Sequence, residues 1–87
     1  MPTYFIKTTL PLSDADRAVF AYHHSETTGN QLSVMHNVAG TQCLVKVNCN
    51  HAIDEVLPPD FVPLEVFTDI DAVRTLLGTA DWQALTL

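Results

Sequence analysis

Basic side chains are scarce: four Lys and Arg residues stand against ten Asp and Glu, a formal net charge of −6. A phosphate backbone is met by clustered Lys and Arg, so direct nucleic-acid binding is not expected. Glycine is equally sparse. Gly29, Gly40 and Gly78 are the only three, and no Gly-x-Gly-x-x-Gly, Walker loop or Gly-x-Ser-x-Gly occurs, so a glycine-rich phosphate cradle cannot be built. There is no run of the roughly 20 apolar residues that a membrane span needs. The start Met1-Pro2-Thr3-Tyr4-Phe5-Ile6-Lys7 lacks a basic region followed by an apolar stretch, which speaks against export. Cys43 and Cys49 could in principle pair, but two cysteines without an export signal read as reduced thiols of a cytoplasmic protein. None of Asn30, Asn37, Asn48 and Asn50 has Ser or Thr two positions on, so no glycosylation acceptor argues otherwise.

The 87 residues, 47% hydrophobic and 16% charged, have an ordinary globular balance rather than a disordered one. That length accommodates one hydrophobic core, and residues 1–87 are read as a single small, soluble domain. Such a domain buries only about 60% of its unfolded surface, so self-association would be an easy supplement to its stability.

The charge is uneven. Up to residue 46, Lys7, Arg17 and Lys46 balance Asp14, Asp16 and Glu26. Beyond it, Asp54, Glu55, Asp60, Glu65, Asp69, Asp71 and Asp81 face only Arg74. An acidic C-terminal face would meet a basic protein partner, imitate a phosphate backbone to occupy a nucleic-acid-binding protein, or serve as a solvated surface.

Thr3 to Leu10 alternates with strand period, Tyr4, Ile6, Thr8 and Leu10 on one side and Phe5, Lys7 and Thr9 on the other. Pro11 and Ser13-Asp14-Ala15-Asp16 end it. Arg17 to Ser25 reads two ways. A strand places Ala18, Phe20 and Tyr22 on one face; a helix takes Ser13 and Asp16 as a capping box and Ala15, Ala18, Val19 and Tyr22 as its stripe. The strand is favoured because Val19, Phe20 and Tyr22 prefer extended structure and Glu26 to Asn30 resembles a hairpin loop. Gln31 to Val38 alternates again, and a tight turn at Ala39-Gly40 would place His36 opposite Cys43, Val34 opposite Val45 and Leu32 opposite Val47. Asn50 to Leu57 suits one or two helical turns capped by Asn50 and stopped by Pro58-Pro59. Phe61 to Phe67 reads as extended, with Pro63 pushing it to a sheet edge or a bulge, and an edge is a surface where a partner strand can add. Thr68 as N-cap and Asp71 at N3 open a helix over Asp69 to Leu77 with Ile70, Val73 and Leu77 buried, and Gly78 closes it in a left-handed conformation. Thr79 caps a final turn carrying Trp82 and Leu85.

These elements predict an α+β fold: a mainly antiparallel sheet of four or five strands in meander order, covered on one face by the C-terminal helix. With Asp14 to His24 helical instead, the order becomes the ferredoxin-like βαββαβ with an extra C-terminal helix.

Candidate chemistry is thin. His36, Cys43, Cys49 and His51 are weak metal candidates, since a straight strand puts Cys43 and Cys49 about 20 Å apart at about 3.3 Å per residue. His36 and Cys43 suit an apolar sheet face instead, where Cys acts as a small hydrophobe. His23 and His24, adjacent in a strand, point apart and cannot chelate together. Cys49 beside His51 is the nearest approach to an activated thiol. The acid pairs Asp54-Glu55 and Asp69 with Asp71 are explained as helix-end charges. Trp82, with Leu85 and Leu87, is either docked on the core or exposed as an apolar contact for a partner.

No catalytic motif and no cofactor are therefore expected, and a pocket of about 300 Å³ or more is hard to fit in so small a chain. The composition favours a non-catalytic protein-binding or regulatory module acting through the acidic C-terminal face or an exposed sheet edge. A homo-oligomeric structural subunit and a small metal- or thiol-dependent enzyme are the alternatives, distinguished by a fixed oligomer and by stoichiometric metal or a fast thiol.

Overall fold

The computed structural model describes residues 3–82. Its elements are β1 (Thr3–Thr9), α1 (Asp14–Thr28), β2 (Ser33–His36), β3 (Gln42–Asn48), α2 (Ile53–Val56), β4 (Glu65–Phe67) and α3 (Ile70–Leu77). The fold is α+β. Its four strands form one antiparallel sheet in the order β2-β3-β1-β4. That order is not a meander: β3 lies between β1 and β2, as in the βαββαβ alternative.

The difference originates in residues 17–25, which are helical rather than extended. Ser13 caps α1, its Oγ accepting from the Asp16 N–H at 3.2 Å. Ala15, Ala18 and Ala21 supply helix propensity that outweighs Val19, Phe20 and Tyr22. Gly29 ends the helix with φ 72° and donates its N–H to the Ser25 carbonyl, the left-handed cap that glycine adopts without strain. Glu26 to Asn30 is therefore a helix end and not a hairpin loop. The expected stripe also differs: Ala15 and Ala18 are exposed, Tyr22 is 64% exposed, and Phe20 and His24 are the buried pair.

The β2–β3 hairpin keeps the register expected from alternation, with His36 opposite Cys43 and Val34 opposite Val45. Its loop is held by Asn37, whose Oδ1 accepts from the Thr41 and Gln42 N–H groups and whose Nδ2 donates to Thr41 Oγ1 and to Asp81 Oδ2. Asn37 is fully buried, and this set of bonds satisfies its polar atoms.

Successive strand residues point to opposite sides, and both sides are covered. On the first face Ile6, Cys43, Val45 and Val47 pack with Phe20 of α1 and Val56 of α2. On the second, Phe5 and Leu44 pack with Val73 of α3 and Trp82. The C-terminal helix thus covers one face, and the helix hidden in residues 14–28 covers the other.

Smaller departures have local causes. The N-cap of α3 is Asp69, not Thr68; its Oδ1 accepts from the Asp71 N–H at 3.0 Å. The inward stripe is Val73, Leu76 and Leu77, leaving Ile70 half-exposed. Gly78 closes α3 in a right-handed conformation (φ −82°, ψ −8°), its N–H bonded to Arg74. Asn50 does not cap α2; Ala52 holds that position without a side-chain bond. Phe61 leaves the expected strand to stack edge-on against Phe20, ring centroids 5.4 Å apart, so β4 starts after Pro63. Leu85 and Leu87 lie outside the described residues. No helix among the described residues is long and apolar enough to cross a membrane.

Candidate functional site

The seven C-terminal acids do not share one face. Asp54 and Glu55 belong to α2 on the first side of the sheet, Asp69 and Asp71 to the start of α3 on the second, and Glu65 to β4 at the edge. Most have structural duties. Asp69 caps α3, and Asp71 accepts from Arg74 at 3.3 Å. Asp81 receives the Asn37 amide at 2.8 Å, Glu65 lies 3.8 Å from Lys7 Nζ, and Glu55 lies 3.3 Å from His51 Nδ1. Asp54 and Asp60 have no ion pair among the described residues. Asp60 adopts φ 62° in the turn after Pro58-Pro59, a conformation that Asp tolerates through its short polar side chain.

The edge itself is exposed and apolar in its surroundings. β4 is an end strand of the sheet, bonded on one side to β1. Val62 is 84% exposed, Leu64 50% and Ile70 48%. These are three of the five large apolar side chains found exposed among the described residues, the others being Tyr22 and Val38. Trp82, the other apolar contact considered from sequence, is 2% exposed within the second core. It is docked, and presents no surface to a partner.

The metal-ligand candidates disperse. His36 is exposed, its Nδ1–H donating to the Asn37 carbonyl at 2.9 Å. Cys43 and Cys49 are free thiols, both fully buried in the first core. Burial pushes the Cys43 thiol above its ordinary value of 9.0, an effect that the Arg17 charge partly offsets. A low-pKa nucleophile needs the reverse. The Cys49 thiol donates weakly to the His51 carbonyl at 3.8 Å.

His51 alone of the four joins a cluster, and its companions lie outside that set. His23 and Glu26 of α1 approach His51 in the loop before α2, with one ligand atom from each lying within 4.8 Å of the others. His24 points elsewhere: it is buried, and its Nδ1 accepts from the Asn48 N–H at 3.1 Å, tying α1 to β3. The two adjacent histidines act separately, because of helical rather than strand geometry.

An open groove of about 570 Å³ lies between α1 and the segment that leads into β2, lined by Arg17, Ala18, Tyr22, Ser25 and Leu32. It exceeds the size limit anticipated from chain length. Ser25 within it donates to the Tyr22 carbonyl, and neither a histidine nor a carboxylate lines it to act as base.

The chain matches no known family model, no curated protein and no solved structure. Its function is read from its own residues.

Proposed function

We propose that this chain is a non-catalytic protein-binding module that takes an extended, basic segment of a protein partner along the β4 edge. One observation carries the reading: the terminal strand of the sheet is flanked by exposed Val62, Leu64 and Ile70. Edge strands offer unpaired backbone groups for strand addition, and flanking apolar side chains give an incoming strand surface to bury. Glu65 on the strand, with Asp60 before it and Asp69 after it, supplies the charge. An added strand whose lysines or arginines alternate with apolar residues matches both features.

Pairing with a second copy is less favourable. Two chains each carrying −6 repel, and antiparallel edge pairing would bring the two Glu65 regions together.

The test is a titration with a labelled peptide of alternating lysine and valine, with alternating lysine and glycine as control. The expected result is binding that weakens about tenfold or more for Glu65→Lys and for Leu64→Asp, and that falls as salt rises. Equal binding of the glycine peptide reduces the effect to general attraction of a polycation and overturns the reading. So does a salt-resistant dimer, seen by light scattering, that Leu64→Asp abolishes; that outcome identifies the edge as a subunit interface.

A further inference from the structure

We propose that His23, Glu26 and His51 form a binding site for one divalent transition-metal ion, with Zn²⁺ as the best match to the donor set. Two imidazoles and one carboxylate are the ligand chemistry that zinc accepts with a fourth position left to solvent. Ca²⁺ and Mg²⁺ call for oxygen ligands and do not suit imidazole nitrogen.

Helix geometry prepares half of the site. His23 and Glu26 are three residues apart on α1, so both side chains project from the same face. The loop after β3 supplies the other half. The His51 carbonyl is pinned by the Tyr4 hydroxyl, which donates to it at 2.8 Å, and by the Cys49 thiol. The two imidazole rings stand edge to face with centroids 5.3 Å apart.

A carboxylate stands beside each ring nitrogen of His51, Glu26 on one side and Glu55 on the other. Glu55 Oε2 lies 3.3 Å from His51 Nδ1, near enough that a turn of that exposed side chain would let it accept a proton from Nδ1 and leave the Nε2 lone pair to the metal. Nε2 is the atom that faces Glu26, 3.6 Å from its Oε1. A carboxylate behind a ligating histidine fixes the ring and its tautomer, and this is the arrangement typical of zinc-bound histidine. The 3.6 Å separation is too long for a good hydrogen bond. It is close to the spacing of about 3.3 Å between neighbouring ligand atoms that bonds of about 2.0–2.1 Å impose in a tetrahedral site.

His23 contributes an independent observation. Its Nδ1 is buried and has no hydrogen-bond partner, an uncommon state for a polar atom. The full cluster spans up to 4.8 Å, so the widest pair of ligands must draw together by up to about 1.5 Å to reach those bond lengths. Glu26 is about half exposed on its side chain and can rotate to close that gap. The ion would tie the last turns of α1 to the loop that precedes α2.

Isothermal titration of the full chain with Zn²⁺ after chelator treatment tests the site, alongside NMR of the four histidine rings. One ion per chain is expected, with the His23 and His51 resonances moving while those of His24 and His36 stay in place. Affinity should fall about tenfold or more in Glu26→Gln and in His51→Gln. Removal of the carboxylate behind the ligand, Glu55→Gln, should weaken binding about 10- to 100-fold, while His36→Gln leaves it unchanged. Glu26 and Glu55 are exposed, so those two variants keep the fold and report on the site alone. Absence of stoichiometric binding overturns the proposal. It is equally overturned by full affinity in Glu26→Gln together with Glu55→Gln, or by shifts centred on His36. Lysine–valine peptide binding by the β4 edge does not involve these residues, so either proposal can fail alone.

Discussion

The two faces of the sheet are covered by helices of opposite character. On the second face α3 is conventionally amphipathic: Val73, Leu76 and Leu77 turn inward with Trp82, and the polar residues turn out. On the first face α1 buries Phe20 and His24, while Ala18 and Tyr22 face solvent. One helix is held almost wholly by apolar burial. The other combines a single large aromatic with a hydrogen bond from the Asn48 backbone to His24, and His23 packs edge to face against His51. A helix can therefore be recruited to a core by one well-placed side chain and specific polar contacts, without a continuous apolar stripe.

Each face has one main anchor, Phe20 on the first and Trp82 on the second. Phe20→Ala and Trp82→Ala should each cost about 3–5 kcal/mol, the range for removing a buried aromatic side chain. Urea denaturation followed by circular dichroism measures both. Against a total stability on the order of 5–15 kcal/mol, either change is severe. A small cost for Phe20→Ala would mean that α1 is held by its polar contacts, and the contrast between the faces would need restating.

His24→Leu examines the polar share of the first face. It removes the acceptor for the Asn48 N–H and should cost about 1–3 kcal/mol, with His24→Gln recovering part by offering a side-chain oxygen. Identical urea midpoints for the leucine and glutamine variants would leave Phe20 and its apolar neighbours as the whole attachment of α1.

This polar attachment is also why α1 was hard to read. Alternation in residues 3–10 and 31–47 reports a sheet face directly, so β1, β3 and the hairpin register were legible before any tertiary contact was known. Residues 14–28 carry two competing patterns because their buried stripe includes histidine, and pattern reading counts apolar positions. The start of α3 slipped by one position because Thr68 and Asp69 are both competent caps. Phe61 to Phe67 looked continuous, but Pro63 and the pull of Phe61 toward Phe20 confine the strand to three residues. The histidine cluster was less accessible still. His51 lies 28 positions after His23, and the spacing of His23 and Glu26 carries meaning only once the segment is known to be helical. Equally hidden was the fate of the acids, since an excess of charge in the sequence does not reveal that α2 and α3 carry it to opposite sides of the sheet.

A third difference between the faces is titratable. Cys43 is buried on the first face, and its thiol is held above the ordinary value of 9.0 chiefly by desolvation. The folded chain thus keeps the proton at pH values where the unfolded chain releases it. The contribution is fully present below the ordinary thiol range and is lost as pH rises through that range toward the folded value. Wild-type stability should accordingly decline above about pH 9, and Cys43→Val should flatten that decline, as measured by urea midpoints across the alkaline range. An unchanged slope in the valine variant would assign the loss to other groups.

The smallest expected effects lie at the helix starts and sharpen the contrast from the backbone side. Ser13 and Asp69 each accept one N–H, from Asp16 and Asp71 respectively, so alanine at either position should cost about 1 kcal/mol. The two caps are not equivalent, because Asp69 also places a negative charge against the positive end of α3, an interaction of about 0.3–1 kcal/mol that salt screens. Asp69→Asn retains the acceptor and removes only the charge. Its cost should be a few tenths of a kcal/mol at low ionic strength and should vanish at high salt, whereas Ser13→Ala should be insensitive to salt. If Asp69→Asn costs as much as Asp69→Ala at every salt concentration, the side chain does more at that position than cap and charge the helix, and the flanking exposed Ile70 and edge strand β4 would be the first contacts to reconsider.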